Sequence, residues 1–260
     1  MHREPRPLQC GDHVLPRARR RARHHRLESM RMTTTIITGG ASGIGRAVVD
    51  ELRNDGHRTI VIDIAEPPAD GFTDLYIRAD LSSSEGISTV LESLAGQEID
   101  NLVHCAAMGQ WSSFRDTPRD AWERILRTNL EGTIAITQAV VPLMPRGSRI
   151  VLFASGTVFK GARNLFAYVA SKAGVIGFAR CLADELGDDE ITVNVVSPGI
   201  TATPMITDMA HTEENNIASR SIKRRAYPED IVGPVKFLLG PGAAFVTGQT
   251  ICVDGGSVKN

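Results

Sequence analysis

Thr34-Thr35-Ile36-Ile37-Thr38-Gly39-Gly40-Ala41-Ser42-Gly43-Ile44-Gly45-Arg46-Ala47-Val48-Val49-Asp50-Glu51-Leu52 is the stretch that decides how this chain folds. Five β-type residues run into a glycine-rich turn, and helix-spaced apolar residues follow it. Strand, glycine turn and helix in that order give a glycine pattern its meaning. Glycines let a backbone approach a pyrophosphate closely, and a helix N-terminus adds free N–H groups and the positive end of a dipole. The spacing is Gly-x-x-x-Gly-x-Gly rather than the commoner Gly-x-Gly-x-x-Gly. A plain strand-to-helix turn would read the same in isolation, so the rest of the chain has to decide.

Downstream, Thr59-Ile60-Val61-Ile62-Asp63 is a second short apolar run that ends in a carboxylate. It stands near the offset of about 20 residues at which a dinucleotide fold places its ribose-binding acid. A carboxylate accepts hydrogen bonds from both ribose hydroxyls and repels a 2′-phosphate. Strand patterns then alternate with helical ones. Strands are expected at 34–38, 58–63, 74–79, 100–106, 148–154, 191–197 and 249–253. Helices are expected at 44–55, 84–96, 118–143, 166–187, 205–219 and 229–239. That alternation predicts an α/β fold: a single Rossmann-like, doubly wound, parallel seven-stranded sheet with helices on both faces. The stretch from Thr201 to Tyr227 is the least regular, and it follows the sixth strand at the edge where such sheets bind ligands.

The second informative stretch is Tyr168-Val169-Ala170-Ser171-Lys172. On a helix, residues i and i+4 share a face. A phenol with a pKa of about 10 is a poor base near neutrality, and a nearby positive charge favours its ionised form. The pair is therefore a candidate proton-transfer device. Taken alone it would more often be a surface pair.

Composition narrows the class. The 260 residues suit one α/β domain. Cys10, Cys105, Cys181 and Cys252 are scattered with no CxxC pair, which reads as reduced thiols in a cytoplasmic protein with no metal site. No run reaches about 18 consecutive apolar residues, so no membrane span is expected. The net charge of −1 hides an asymmetry. Residues 1–31 carry nine arginines against three acids, while the remainder is acidic. An acidic body argues against nucleic-acid binding. The tail lacks the apolar core of a secretory signal. It is expected to be a disordered basic extension, or a leader upstream of a start at Met30 or Met32. The domain organisation is thus 1–31 extension and 32–260 catalytic domain.

With these residues assembled, the chain resembles the classical short-chain dehydrogenase/reductase family from about Thr33 to Gly256. Thr38, Gly39, Ser42, Gly43, Ile44 and Gly45 match that family's cofactor loop. Asp80-Leu81 matches its adenine-side acidic pair, and Asn129 in Thr128-Asn129-Leu130-Glu131-Gly132 matches its helix asparagine. Ser155 stands at the family's interval before Tyr168. Pro198, Gly199, Thr201 and Thr203 resemble the nicotinamide loop, and Thr247-Gly248-Gln249 with Asp254-Gly255-Gly256 resembles the last strand. The resemblance implies an NAD-dependent oxidoreductase with Asn129, Ser155, Tyr168 and Lys172 as catalytic residues and Asp63 and Ala106 among the cofactor contacts. It implies NAD in preference to NADP, a small-molecule substrate and a homotetramer. Among members it is similar to NAD-using secondary-alcohol dehydrogenases of the pyridoxal 4-dehydrogenase and 1-phenylethanol dehydrogenase type. A 3-oxoacyl-[acyl-carrier-protein] reductase is the alternative, and a catalytically idle scaffold is a third reading that the retained tetrad opposes. Trp111, Phe159 and Met205, with Gln110, Val158 and Met209, are the expected substrate-pocket residues. One block departs from the family. His104-Cys105-Ala106-Ala107 stands where Asn-Asn-Ala-Gly is usual, so His104 is expected to replace the strand tie through a ring nitrogen.

Overall fold

A computed structural model describes residues 32–206 and 210–259. The basic extension 1–31 and Met209 lie outside the described residues. Strand β1 (Thr34–Thr38) leads to helix α1 (Gly43–Asn54), then β2 (Arg58–Asp63), β3 (Leu75–Arg78), α2 (Ser84–Ser93) and β4 (Asn101–His104). Next come α3 (Arg119–Leu126), a π-helical segment (Arg127–Glu131), α4 (Gly132–Val140), β5 (Arg149–Phe153) and a short α5 (Thr157–Lys160). The chain ends with α6 (Phe166–Glu185), β6 (Thr192–Pro198), α7 (Ala210–Ser219), α8 (Glu229–Leu239) and β7 (Thr250–Val253).

All six strand pairings are parallel, in the order β3-β2-β1-β4-β5-β6-β7. The seven expected strands are all present. β1, β2, β4, β5 and β6 are buried along nearly their whole length rather than on alternate residues, because helices cover both faces. Successive side chains still point to opposite faces. Ile36 joins the core layer beneath α2, α4 and α6, whereas Ile37 joins the layer beneath α1 and α8. The order reverses direction at β1 and β4, so the loops leaving these two strands part and open a crevice at their carboxyl ends.

Two helical expectations change. The segment expected as one helix over 118–143 is interrupted by the π-helix at Arg127–Glu131, with Asn129 buried at its centre. The segment expected as a helix over 205–219 is a 3-10 turn, Pro204–Ile206, and then α7. Helix α6 meets the length and mean hydropathy of a membrane span, although Ser171, Lys172, Arg180 and Asp184 interrupt it. In this fold it is a core helix. Ala167, Ser171, Lys172, Val175, Ile176, Ala179 and Ala183 face the sheet and are buried.

Candidate functional site

The glycine turn is shaped by close backbone approach. Gly39 has φ +66°, and a Cβ there would lie 2.8 Å from the backbone of Ala106. A Cβ on Gly45 would lie 2.2 Å from the Gly39 carbonyl oxygen, which only glycine avoids. Helix α1 therefore starts directly on the turn. Its N-cap, Ser42, makes no side-chain cap and no acid occupies the first turn. The first N–H groups and the dipole end thus face the crevice without internal competition, which suits a pyrophosphate.

At the end of β2 the Asp63 carboxylate is half-buried. One oxygen accepts from the Ala41 N–H at 3.0 Å and the other from Ala65 N–H at 3.0 Å. Each oxygen keeps a free lone pair for a ribose hydroxyl. The residues present thus fit a dinucleotide: a glycine cradle, an uncapped helix N-terminus and a carboxylate at the second strand.

A cavity of about 900 Å³ runs along the carboxyl edge of the sheet. The expected residues Gly39, Ser42, Gly43, Ile44, Gly45, Asp63, Asp80, Leu81, Ala106, Pro198, Gly199, Thr201 and Thr203 all line it. So do Ser155, Tyr168, Lys172, Trp111 and Met205. Five expected residues, Thr38, Phe159, Asn129, Gln110 and Val158, do not. Thr38 is fully buried beneath the turn, where its hydroxyl meets His104 and the Ala106 N–H. Phe159 points away, because in the single turn of α5 Thr157 and Lys160 share the cavity face while Val158 packs on the core. Asn129 lies below the wall. Its amide donates to the Met108 carbonyl at 2.8 Å and to Ser171 Oγ at 3.1 Å, and its oxygen accepts from the Met108 N–H at 2.8 Å. Gly174 makes that junction possible, since a Cβ there would strike Leu130 at 2.8 Å. The sequence reading missed Arg124, Thr128, Lys160, Arg163, Asn164 and Asn216 on the wall.

His104 replaces the usual tie as expected. Its Nδ1 lies 2.8 Å from Thr38 Oγ1 and its Nε2 lies 2.9 Å from Thr133 Oγ1. Thr133 donates its single hydroxyl proton to the Asn129 carbonyl at 2.6 Å. His104 must therefore donate from Nε2 and accept at Nδ1, which is the neutral ring. Burial agrees, bringing the ring down to about 3. Neighbouring Cys105 is pushed up to about 12 by burial and stays a thiol. Among the described residues no group of three or more His, Cys, Asp or Glu side chains is placed to hold a metal.

The Tyr168 phenol and the Ser155 hydroxyl are hydrogen-bonded. Thr157 Oγ1 donates to Ser155 Oγ at 2.9 Å, which leaves the serine proton for the phenol oxygen. Burial raises the Tyr168 pKa above its ordinary value and the Ser155 bond pulls it back in part. Lys172 is 2% exposed, and burial lowers it to about 8. Its ammonium donates to the Phe153 carbonyl at 2.9 Å and lies 6.0 Å from the centre of the Tyr168 ring. The expectation that Lys172 itself depresses the phenol is thus corrected for the protein alone: burial and Ser155 govern it. A half-buried phenol and a buried ammonium beside a serine, on the wall of the crevice, can move a proton to or from an alcohol oxygen.

Comparison with known proteins agrees with that chemistry. A family model described as Enoyl-(Acyl carrier protein) reductase matches residues 39–258. The acetoacetyl-CoA reductase of Acinetobacter sp. (strain RA3849) is 32% identical over 237 residues, 85% of this chain and 96% of that one. A structure provisionally assigned as an NAD(P)-dependent gluconate 5-dehydrogenase from Beutenbergia cavernae, with NADP bound at low occupancy, is 31% identical. It superposes with a TM-score of 0.82 over 87% of this chain and 96% of its own. A 4-hydroxyisoleucine dehydrogenase complexed with NADH is 26% identical, with a TM-score of 0.81 over 87% and 98% of the two chains. The chain belongs to the short-chain dehydrogenase/reductase family. It is an oxidoreductase that acts on CH–OH groups with NAD or NADP.

Proposed function

We propose that the protein interconverts a secondary alcohol and a ketone, with NAD preferred over NADP. The observation that carries the reading is the Ser155–Tyr168–Lys172 group on the wall of the dinucleotide crevice. Bound NAD would supply the hydride acceptor and, in its oxidised form, a positive charge. Tyr168 gives the proton to the carbonyl oxygen in reduction and takes it from the alcohol in oxidation. Ser155 holds that oxygen by a hydrogen bond. Lys172 holds the nicotinamide ribose and, with the cofactor's charge, lowers the phenol pKa that burial has raised. Asn129 is a positioning residue that fixes Met108 and Ser171 beneath the site. Trp111 and Met205 flank the substrate; they are 45% and 49% exposed, as apolar walls awaiting a ligand would be.

Asp63 supports the NAD preference, because a 2′-phosphate beside it would meet a carboxylate at close range. The reductase alternative, acting on 3-oxoacyl thioesters, draws on the acetoacetyl-CoA relative and on the exposed Arg124 and Arg163 at the wall. The test is NADH or NADPH formation by the purified protein from a panel of secondary alcohols, with the reverse reaction run on the ketones and on acetoacetyl-CoA. Faster turnover of the thioester with NADPH would favour the alternative. No hydride transfer with any of them would overturn the assignment.

Residues 32–260 form the catalytic domain in this reading and 1–31 a dispensable extension, in a cytoplasmic homotetramer. Cys105, Cys181 and Cys252, which form no disulfide among the described residues, suit a reducing compartment. Edge strand β7 is half-exposed along its length, and Phe237 and Phe245 are exposed nearby in the chain. Exposed Ile134 on α4 and half-buried Phe178 and Leu182 on α6 supply a second apolar surface. Two-fold pairing of each surface gives four chains. Light scattering at micromolar protein should give that mass, and an active monomer would refute it. A chain starting at Met30 should keep its activity.

A further inference from the structure

We propose that Lys160 and Asn216 form a second recognition point in the cavity, which takes a carboxylate on the substrate. This rests on the oxidoreductase reading above and narrows its substrates to hydroxy acids and oxo acids rather than plain alcohols. Asn216 lies on α7 and lines the cavity. The Arg220 guanidinium, itself buried, donates to Asn216 Oδ1 from Nε at 3.0 Å and from Nη2 at 2.7 Å. A guanidinium has only donors, so the contact fixes which way the amide faces. Oδ1 is committed to Arg220, and the Asn216 Nδ2 group has no partner among the described residues.

Lys160 is held beside it. Its ammonium donates to Ser257 Oγ at 2.6 Å, Ser257 Oγ lies 2.9 Å from Ser219 Oγ, and Ser219 donates to the Asn216 carbonyl at 2.7 Å. These bonds bring the lysine of α5 and the amide of α7 to one stretch of wall. Two ammonium protons and the amide protons remain to be accepted. The same wall carries the reacting group, because Thr157, one turn before Lys160, bonds Ser155. An oxygen seated on Lys160 and Asn216 thus belongs to the same small molecule whose carbinol sits at Ser155.

The local charge favours an anion. Among the described residues on this part of the cavity wall the acid is Asp254, and three backbone N–H groups, of Gly256, Ser257 and Val258, occupy its oxygens; Glu214, on the helix of Asn216, is exposed and does not line the cavity. The buried Arg220 packs against adjoining Gly255 and offsets it. Lys160 is then the surplus charge, with Arg163 further along the cavity wall. Donors with one positive charge and no free acceptor suit a carboxylate, whose oxygens only accept.

The experiment compares kcat/KM for 3-hydroxybutyrate and 4-hydroxypentanoate with 2-butanol and 2-pentanol, in wild type, Lys160→Met and Asn216→Asp, with both cofactors. Asn216→Asp keeps the acceptor that Arg220 needs and replaces the free donor with a like charge. Wild type should prefer the acids by at least about tenfold, and each variant should narrow that ratio by at least about tenfold. A ratio at or below one in wild type, or one that neither variant moves, overturns the proposal. Calorimetric binding of 3-hydroxybutyrate to the same proteins separates this claim from the assignment above. If no compound transfers hydride, the assignment fails, and the present claim then stands only if Asn216→Asp weakens binding about fivefold or more.

Discussion

Lys172→Met should make the protein more stable while destroying its activity, and the size follows from the site. The ammonium is 2% exposed and its pKa falls from 10.5 to about 8 because burial disfavours the charge. That drop corresponds to roughly 3 kcal/mol of penalty. The folded pKa lies below the unfolded one. Below pH 8 the lysine is charged in both states and the full penalty is present. It fades as pH rises from about 8 to 10.5, where the unfolded chain binds more protons than the folded one. Methionine fills a similar volume without the charge, but it loses the bond to the Phe153 carbonyl, worth about 1 kcal/mol. The balance is a gain of about 2 kcal/mol at pH 7, or roughly 4–8 °C in Tm for a domain of this size. Urea unfolding at fixed protomer concentration without cofactor measures it. The advantage should shrink between pH 8 and 10.5. A variant less stable than wild type at pH 7, or an advantage unchanged at pH 10, would refute the reasoning.

Other outcomes follow from the same geometry. Gly39→Ala forces a left-handed φ on alanine and drives its Cβ to 2.8 Å from the Ala106 backbone, so it should cost at least about 2 kcal/mol in urea unfolding and weaken cofactor binding. His104→Ala cuts the buried tie between Thr38 and Thr133, leaves the Thr38 hydroxyl proton without an acceptor and opens a cavity, so it should cost roughly 2–4 kcal/mol. His104→Asn, which can restore one bond, should recover part of that loss. Asp63→Ala should narrow an NAD preference of at least about tenfold in kcat/KM, and a wild type that prefers NADP would contradict the ribose role. Because burial raises the Tyr168 pKa, alcohol oxidation should climb with pH into the alkaline range while ketone reduction does not. Paired initial rates across pH check this.

The parts of the fold that were legible in the sequence are those set by local pattern. Runs such as Ile60-Val61-Ile62 and Ile150-Val151-Leu152-Phe153 are apolar over the length of a strand and mark the buried sheet. The Gly39–Gly45 turn announces its own geometry, since only glycine fits there. What stayed hidden depends on long-range contacts. The π-helix at Asn129 is accompanied by bonds to Met108 and Ser171 that no local pattern encodes. Phe159 reads as a pocket residue by its distance from Ser155, but a four-residue helix turns it outward and puts Lys160 on the wall instead. Thr38 matches a cofactor motif by position, yet its hydroxyl braces His104. Asn216 and Arg220 lie in the least regular stretch, where nothing but the fold reveals that one orients the other.

The central claim is that Tyr168 carries the proton during hydride transfer. Tyr168→Phe deletes that proton and leaves the ring in place, so turnover compared with NAD binding tests it most directly. We expect NAD affinity within about threefold of wild type and turnover lower by about 10²–10⁴-fold, the range of general acid–base catalysis. Turnover by the variant comparable with wild type, on any alcohol the wild type oxidises, would contradict the account.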